Sequence, residues 1–206
     1  MVKHAGEFSD WINSFLGTMK GESSGDVPCG DCVGCCTSSK FVLVRPTDFE
    51  AISIIPEELL FPAPGLPKGF KLMGYDEQGH CPMFKSGKCS IYELRPETCK
   101  QYDCRVLAAT GANIEGESKE IVETIASWQF EFSDKESRNK EKALKRAMQF
   151  LKENSEFFPR GYIPNTDSQI SALAVRIYKE FINIKTNSVA IDELVTKITK
   201  QYPQES

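Results

Sequence analysis

Hydrophobic positions recur at helical intervals towards both ends of this chain and lose that period in between. Near the start, Trp11, Ile12, Phe15, Leu16 and Met19 fall at three- and four-residue steps, which predicts a short amphipathic helix with Ser9 or Asp10 as its N-cap. Beyond Gly111 four more segments share the period. The first carries Ile121, Ile125, Trp128 and Phe132. The second opens on the capping-box pair Ser133 and Glu136, carries Leu144, Ala147, Met148 and Leu151, and is stopped by Pro159 and Gly161. The third follows Thr166 and Gln169 with Ile170, Leu173, Ile177, Tyr178 and Phe181, and the fourth has Ile191, Leu194, Val195 and Ile198. Four such segments predict a helical bundle. The charge-dense run from Lys135 to Arg146 reads as the solvated face of the second helix.

The middle of the chain reads differently. Gly21 to Pro28 has linker composition, Phe41-Val42-Leu43-Val44 predicts a short strand, and Thr47 with Glu50 predicts a capped helix through Ile55. Pro56, Pro62, Pro64 and Pro67 then predict irregular chain. The expected fold class is mainly α, with a small irregular cysteine-rich metal-binding core and few short strands. The expected division is an N-terminal helix and linker over 1–28, a cysteine-cluster metal-binding domain over 29–110, and a helical region packed on it over 111–206.

Composition narrows the function classes. A chain of 206 residues that is 40% apolar can build an ordinary globular core. A formal charge of -4 provides no phosphate-neutralising surface, so neither nucleic acid nor an anionic membrane is an expected partner. No apolar run approaches the roughly 18 residues of a membrane-spanning helix, and Met1 to Glu7 lacks the apolar stretch of a signal peptide. The expected setting is cytoplasmic, where thiols are kept reduced. That bears on all eight cysteines, because reduced thiols at close spacing point to metal ligation and away from a disulfide framework.

The cysteines are Cys29, Cys32, Cys35, Cys36, Cys81, Cys89, Cys99 and Cys104. In Cys29-x2-Cys32-x2-Cys35 each two-residue gap lets the chain turn around a metal, so that thiolates converge while backbone N–H groups reach the sulfurs. Cys36 directly follows Cys35, and neighbouring side chains in extended chain point to opposite faces, so the pair suggests two centres or bridging thiolates. The second group, Cys81-x7-Cys89-x9-Cys99-x4-Cys104, is too widely spaced to close a compact metal loop and is expected to complete sites begun by the first. A simple division puts Cys29, Cys32, Cys35 and Cys81 in one site and Cys36, Cys89, Cys99 and Cys104 in the other.

Thiolates suit both zinc and iron-sulfur centres. A compact triplet completed by a distant Cys-Pro, here Cys81-Pro82, favours a 4Fe-4S cluster over zinc, which more often takes two short-spaced pairs. Four thiolates around a divalent metal leave a negative centre, for which Arg95 and Arg105 are candidate donors and Lys85, Lys88 and Lys100 nearby cations. His80 reads as a loop histidine beside the ligand Cys81, and the carboxylate pairs Glu57-Glu58 and Asp76-Glu77 as solvated charge. There is no Gly-rich nucleotide loop, no His-Glu-x2-His and no nucleophile-base set.

The order Cys-x2-Cys-x2-Cys-Cys, Cys81-Pro82-Met83-Phe84, Gly87-Lys88-Cys89-Ser90-Ile91-Tyr92 and Arg95-Pro96-x2-Cys99 resembles the YkgJ-type cysteine-cluster family, described as zinc- or iron-chelating. The likeness spans about residues 29 to 104 and gives each family cysteine a counterpart. It implies a zinc- or iron-binding protein, and the expected role is binding of a metal or an iron-sulfur cluster for redox or metal maturation. Some proteins with this motif are similar to flagellin lysine methylases, which implies an alternative: an iron-sulfur enzyme that modifies a protein substrate. A third reading is a structural-zinc module whose helices contact a protein partner.

Overall fold

The computed structural model describes residues 2–23, 25, 27–114, 117–182 and 190–203. The chain is mainly α with few short strands, as the periodicity predicts. The strands are β1 (Lys3–Glu7), β2 (Val42–Val44), β3 (Leu60–Pro62), β4 (Lys71–Met73), β5 (Phe84–Lys85), β6 (Lys88–Cys89) and β7 (Trp128–Glu131). The α-helices are α1 (Phe8–Met19), α2 (Phe49–Ile54), α3 (Glu97–Gln101), α4 (Arg105–Thr110), α5 (Lys119–Ser127), α6 (Lys135–Glu153), α7 (Asp167–Ile177) and α8 (Ile191–Gln201). The described chain divides into two compact units, one of Met1–Lys20, Cys104–Glu115 and Ser127–Ser206, the other of Gly21–Asp103 and Gly116–Ala126.

The first unit is helical. Leu144, Leu151, Ile177 and Ile198, from α6, α7 and α8, are fully buried, at the positions the period selects. Thr166 caps α7 by accepting from the Gln169 N–H, and a turn of 3-10 helix continues it over Tyr178–Phe181. The charge-dense run lies along α6, where Lys140 pairs with Glu136 and Lys145 with Glu141 one turn apart.

Three expectations need correcting in this unit. The helix predicted through Phe132 ends at Ser127, and Trp128 opens β7, which runs parallel to β1 with Lys3 opposite Trp128 and Glu7 opposite Glu131. Trp128 is buried, Gln129 and Glu131 are exposed and Phe130 is half-buried, a two-residue alternation that the helical period of Ile121, Ile125 and Trp128 conceals. The N-cap of α1 is Glu7, not Ser9 or Asp10, because β1 leads directly into the helix and the Glu7 carboxylate accepts from the Asp10 N–H at 3.0 Å. The cap of α6 is Asp134, one residue beyond Ser133, and that helix ends at Glu153, well ahead of Pro159. Ser133 instead donates through its hydroxyl to Glu7, at 3.2 Å. No helix among the described residues is long and apolar enough to cross a membrane.

The second unit is built on an antiparallel sheet ordered β2-β4-β3, with Met73 of β4 between Val42 and Leu60. Its core is Val44, Ala51, Ile55, Met73 and Met83, and Cys81 and Ile91 pack at the edge. The stretch from Pro56 to Pro67 is less irregular than its prolines predict. Pro62 sits on β3, an edge strand, where a missing N–H costs no ladder bond. Thr47 does not cap α2. Asp48 holds that position, and its carboxylate accepts instead from the Arg45 N–H at 2.7 Å and the Glu97 N–H at 3.0 Å, tying α2 to α3. With five and six residues, α3 and α4 are too short to display a period and were not foreseen.

Candidate metal centre

Each cysteine of the second unit is placed by local backbone chemistry. The Cys32 N–H donates to the Cys29 carbonyl at 3.2 Å and the Cys36 N–H to Val33 at 2.8 Å, which winds the first group into successive turns. Cys35 and Cys36 share the 3-10 turn Gly34–Thr37, yet Cys35 is exposed and Cys36 half-buried, the divergence expected of adjacent side chains. Helix α5 packs against this turn. A Cβ on Gly34 would stand 3.1 Å from Ile121 Cγ1, so a larger residue there would oblige Ile121 to give way. The Thr124 hydroxyl lies 3.2 Å from Cys32 Sγ, and Lys40 pairs with Glu117.

A tight loop delivers the second group. Asp76 Oδ1 accepts from the Gln78 and His80 N–H groups at 2.9 and 2.8 Å, and the Gly79 N–H donates to the Asp76 carbonyl. Gly79, at φ +81°, lies so close to Ser39 that an added Cβ would stand 2.0 Å from the Ser39 hydroxyl. That contact lets the Ser39 N–H reach the Gly79 carbonyl at 2.9 Å and the Cys81 N–H reach the Cys36 carbonyl at 2.7 Å. Two main-chain bonds therefore join the cysteine groups. Cys89 follows on the β5–β6 hairpin, whose turn residues Ser86 and Gly87 both have positive φ, the requirement of a tight two-residue connection. Cys99 rides on α3, where its N–H donates to Pro96 at 2.9 Å.

The thiols influence one another. Cys36 donates to Cys89, which, with burial and the neighbouring Cys81 and Cys35 sulfurs, pushes the Cys36 thiol far above its ordinary range. The accepted bond, with the Ile91 N–H and the nearby Arg95 charge, draws Cys89 down to about 6 against the opposing effect of burial. Burial, then the Cys81 and Cys89 charges, push Cys99 up to about 12, while Arg95 opposes. Cys81 is raised by burial despite N–H donors at Met83 and Phe84. Cys36, Cys89 and Cys99 are thus among the thiols whose charge Cys81 feels or influences.

Cys29, Cys32, Cys35 and Cys36 from the first group, and Cys81, Cys89 and Cys99 from the second, line one cavity of about 520 Å³. Arg95 lines it too, its guanidinium 4.0 Å above the Tyr92 ring and bonded to the Tyr92 carbonyl. Cys104 belongs to the first unit, where it is buried and its sulfur accepts from the Trp128 indole N–H at 3.2 Å. Arg105, in the same unit, donates to the Ala5 carbonyl. His80 packs edge-on against Phe84.

Among the described residues no three His, Cys, Asp or Glu side chains form a group that could already hold a metal ion. In chemical type and number the cavity thiols nevertheless suit zinc or an iron-sulfur cluster, both of which take soft sulfur donors. The residue that sequence reasoning missed is Asp76, set down as solvated charge. Asp at the first and Gly at the fourth position of Asp76-Glu77-Gln78-Gly79 is a type I turn signature that could have found it.

No curated protein and no solved structure matches the chain. Residues 28–126 match the model of the CxxCxxCC family, described as a putative zinc- or iron-chelating domain, and so extend past Cys104 to take in Ile121 and Thr124 of α5. The match runs from one residue ahead of Cys29 to the last residue of the second unit, so this segment of the chain is similar to the CxxCxxCC family.

Proposed function

We propose that the second unit is a metal-binding module whose seven cavity thiols hold more than one metal ion, as an iron-sulfur cluster in preference to zinc. The observation that carries this reading is that seven cysteines from two distant groups line a single cavity, more donors than the four places of one tetrahedral ion. Cys36, Cys81, Cys89 and Cys99 supply one set and Cys29, Cys32 and Cys35 the other, with Arg95 offsetting thiolate charge. A bound metal would supply Lewis acidity or, as a cluster, one-electron chemistry; the chain contributes sulfur donors and a partly desolvated wall. The role is redox or metal maturation in the reducing cytoplasm, in keeping with eight free thiols.

The test is anaerobic purification with iron, sulfide and zinc analysis and a visible spectrum. Brown protein with equimolar iron and sulfide is the expected result, and colourless zinc protein refutes the preference for iron-sulfur. A second reading, that the centre acts on a protein side chain, is favoured by the size of the cavity, since a purely structural site is closed by its four ligands. In that reading imidazole or cyanide should bind the loaded protein and change its spectrum, and an unchanged spectrum argues for a closed site.

A further inference from the structure

We propose that the Thr98 hydroxyl is a hydrogen-bond donor to a sulfur of the metal centre, a positioning group that the family motif does not include. The Thr98 oxygen is buried and has no hydrogen-bond partner among the described residues. A hydroxyl in that condition carries its full desolvation cost and returns nothing, so its place in a native fold calls for an acceptor. Thr98 lines the thiol cavity, beside Cys99 in the chain, and Cys89 and Arg95 line the same cavity.

The turn that presents it is held at several points. The Glu97 N–H donates to Asp48 at 3.0 Å, the Cys99 N–H to Pro96 at 2.9 Å, and Arg45 to the Gln101 side chain at 3.1 Å. The hydroxyl therefore cannot easily turn out to water. Elsewhere in the unit a threonine hydroxyl already lies against a cavity thiol, with Thr124 Oγ1 3.2 Å from Cys32 Sγ. Metal-bound sulfur is anionic and a strong acceptor, and donors to it tune how firmly the metal is held. Valine would occupy the same volume as Thr98 without an orphaned polar atom, so the hydroxyl serves the loaded state and burdens the empty one.

The inference rests on the reading that the cavity holds a metal–thiolate centre, and it predicts a change of sign that a purely structural role would not produce. Thr98→Val and Thr98→Ser are compared with wild type in the full chain, purified anaerobically. In metal-free protein, Thr98→Val should melt higher than wild type. In metal-loaded protein it should release its metal to a chromophoric chelator several-fold faster and move the sulfur-to-metal charge-transfer band to lower energy. Thr98→Ser should restore wild-type behaviour in both. If Thr98→Val fails to fold, Thr98→Ala carries the comparison of release rate and band position. Unchanged release and an unchanged band in a fully loaded, folded variant overturn the proposal. Wild-type protein that holds no metal overturns it together with the proposed function, and metal analysis distinguishes that case from the first.

Discussion

Replacing Gly79 with alanine tests the idea that the two cysteine groups are joined through one close backbone approach. Two costs can be worked out. At φ +81° a residue with a Cβ pays roughly 1–2 kcal/mol. The new Cβ would also stand 2.0 Å from the Ser39 hydroxyl and 3.3 Å from its Cβ, so Ser39 must shift, and overpacking of this kind costs about 1–3 kcal/mol. Against these, alanine restricts the unfolded chain and returns about 0.4–1 kcal/mol. The net loss lies at about 1–4.5 kcal/mol, centred near 3, which corresponds to a rise on the order of 100-fold in the opened population of this region. Tryptophan fluorescence would miss it, because Trp11 and Trp128 both belong to the helical unit. The suitable assay is the rate of labelling at Cys99, resolved from the exposed Cys35 by peptide mass spectrometry in metal-free protein, in the regime where labelling follows the opened population. Ser39→Gly removes the clash, leaves the backbone cost at residue 79 and also relieves Ser39 of its own φ of 55°, so Gly79→Ala should cost about half as much when measured against the Ser39→Gly chain. Labelling of Gly79→Ala at the wild-type rate, or an undiminished cost in the Ser39→Gly chain, would refute the argument.

Two further outcomes concern the helical unit. Burial alone would raise Glu7, but bonds from the Ser137 hydroxyl, the Asp10 N–H and both the N–H and hydroxyl of Ser133 bring its pKa from 4.5 down to about 2. A depressed carboxylate stabilises the fold above its unfolded pKa, so Glu7→Gln should cost about 1 kcal/mol at neutral pH after solvent screening, by urea titration. That difference should shrink as the pH falls from 4.5 and vanish near 2; a difference independent of pH would contradict the linkage. Leu144→Ala, at a fully buried position of α6, should cost about 2–5 kcal/mol in thermal or urea unfolding followed by tryptophan fluorescence.

The longer helices were legible because their core faces extend over several turns, so Leu144, Ala147, Met148 and Leu151 declare α6 without help from the rest of the fold. What was not legible depends on partners distant in sequence. Trp128 fits a helical period and still lies on a strand, because β1 offers it a parallel neighbour more than a hundred residues away. Glu7 caps a helix only because that strand ends where α1 begins. Within the candidate site, spacing captured the compact turns of Cys29 to Cys36, where successive residues bond to one another. It could not say how the second cysteine group is brought to the first. That is decided by the Asp76 loop, by Gly79 against Ser39 and by the β5–β6 hairpin, none of which leaves a cysteine-spacing signal.

The family match is continuous in sequence, but the structural unit it covers is not. Residues 104–115 fall inside the match and yet belong to the helical unit, where Val106, Leu107 and Ala109 of α4 are almost fully buried and the Thr110 hydroxyl meets Ser171 of α7 at 2.9 Å. A fragment cut at the match boundaries, residues 28–126, would keep every cavity cysteine but expose the face of α4. Fully burying a side chain such as Val106 or Leu107 is worth roughly 1.5–3 kcal/mol, and in the fragment that contribution is lost while the apolar surface is opened to water. The fragment should therefore bind a hydrophobic dye and associate on size-exclusion chromatography. Replacing Val106 and Leu107 with polar residues in the fragment should relieve the association without touching a cavity thiol. A 28–126 fragment that is monomeric, does not bind dye and melts cooperatively would show that α4 does not need the helical unit, and the boundary drawn at Cys104 would be wrong.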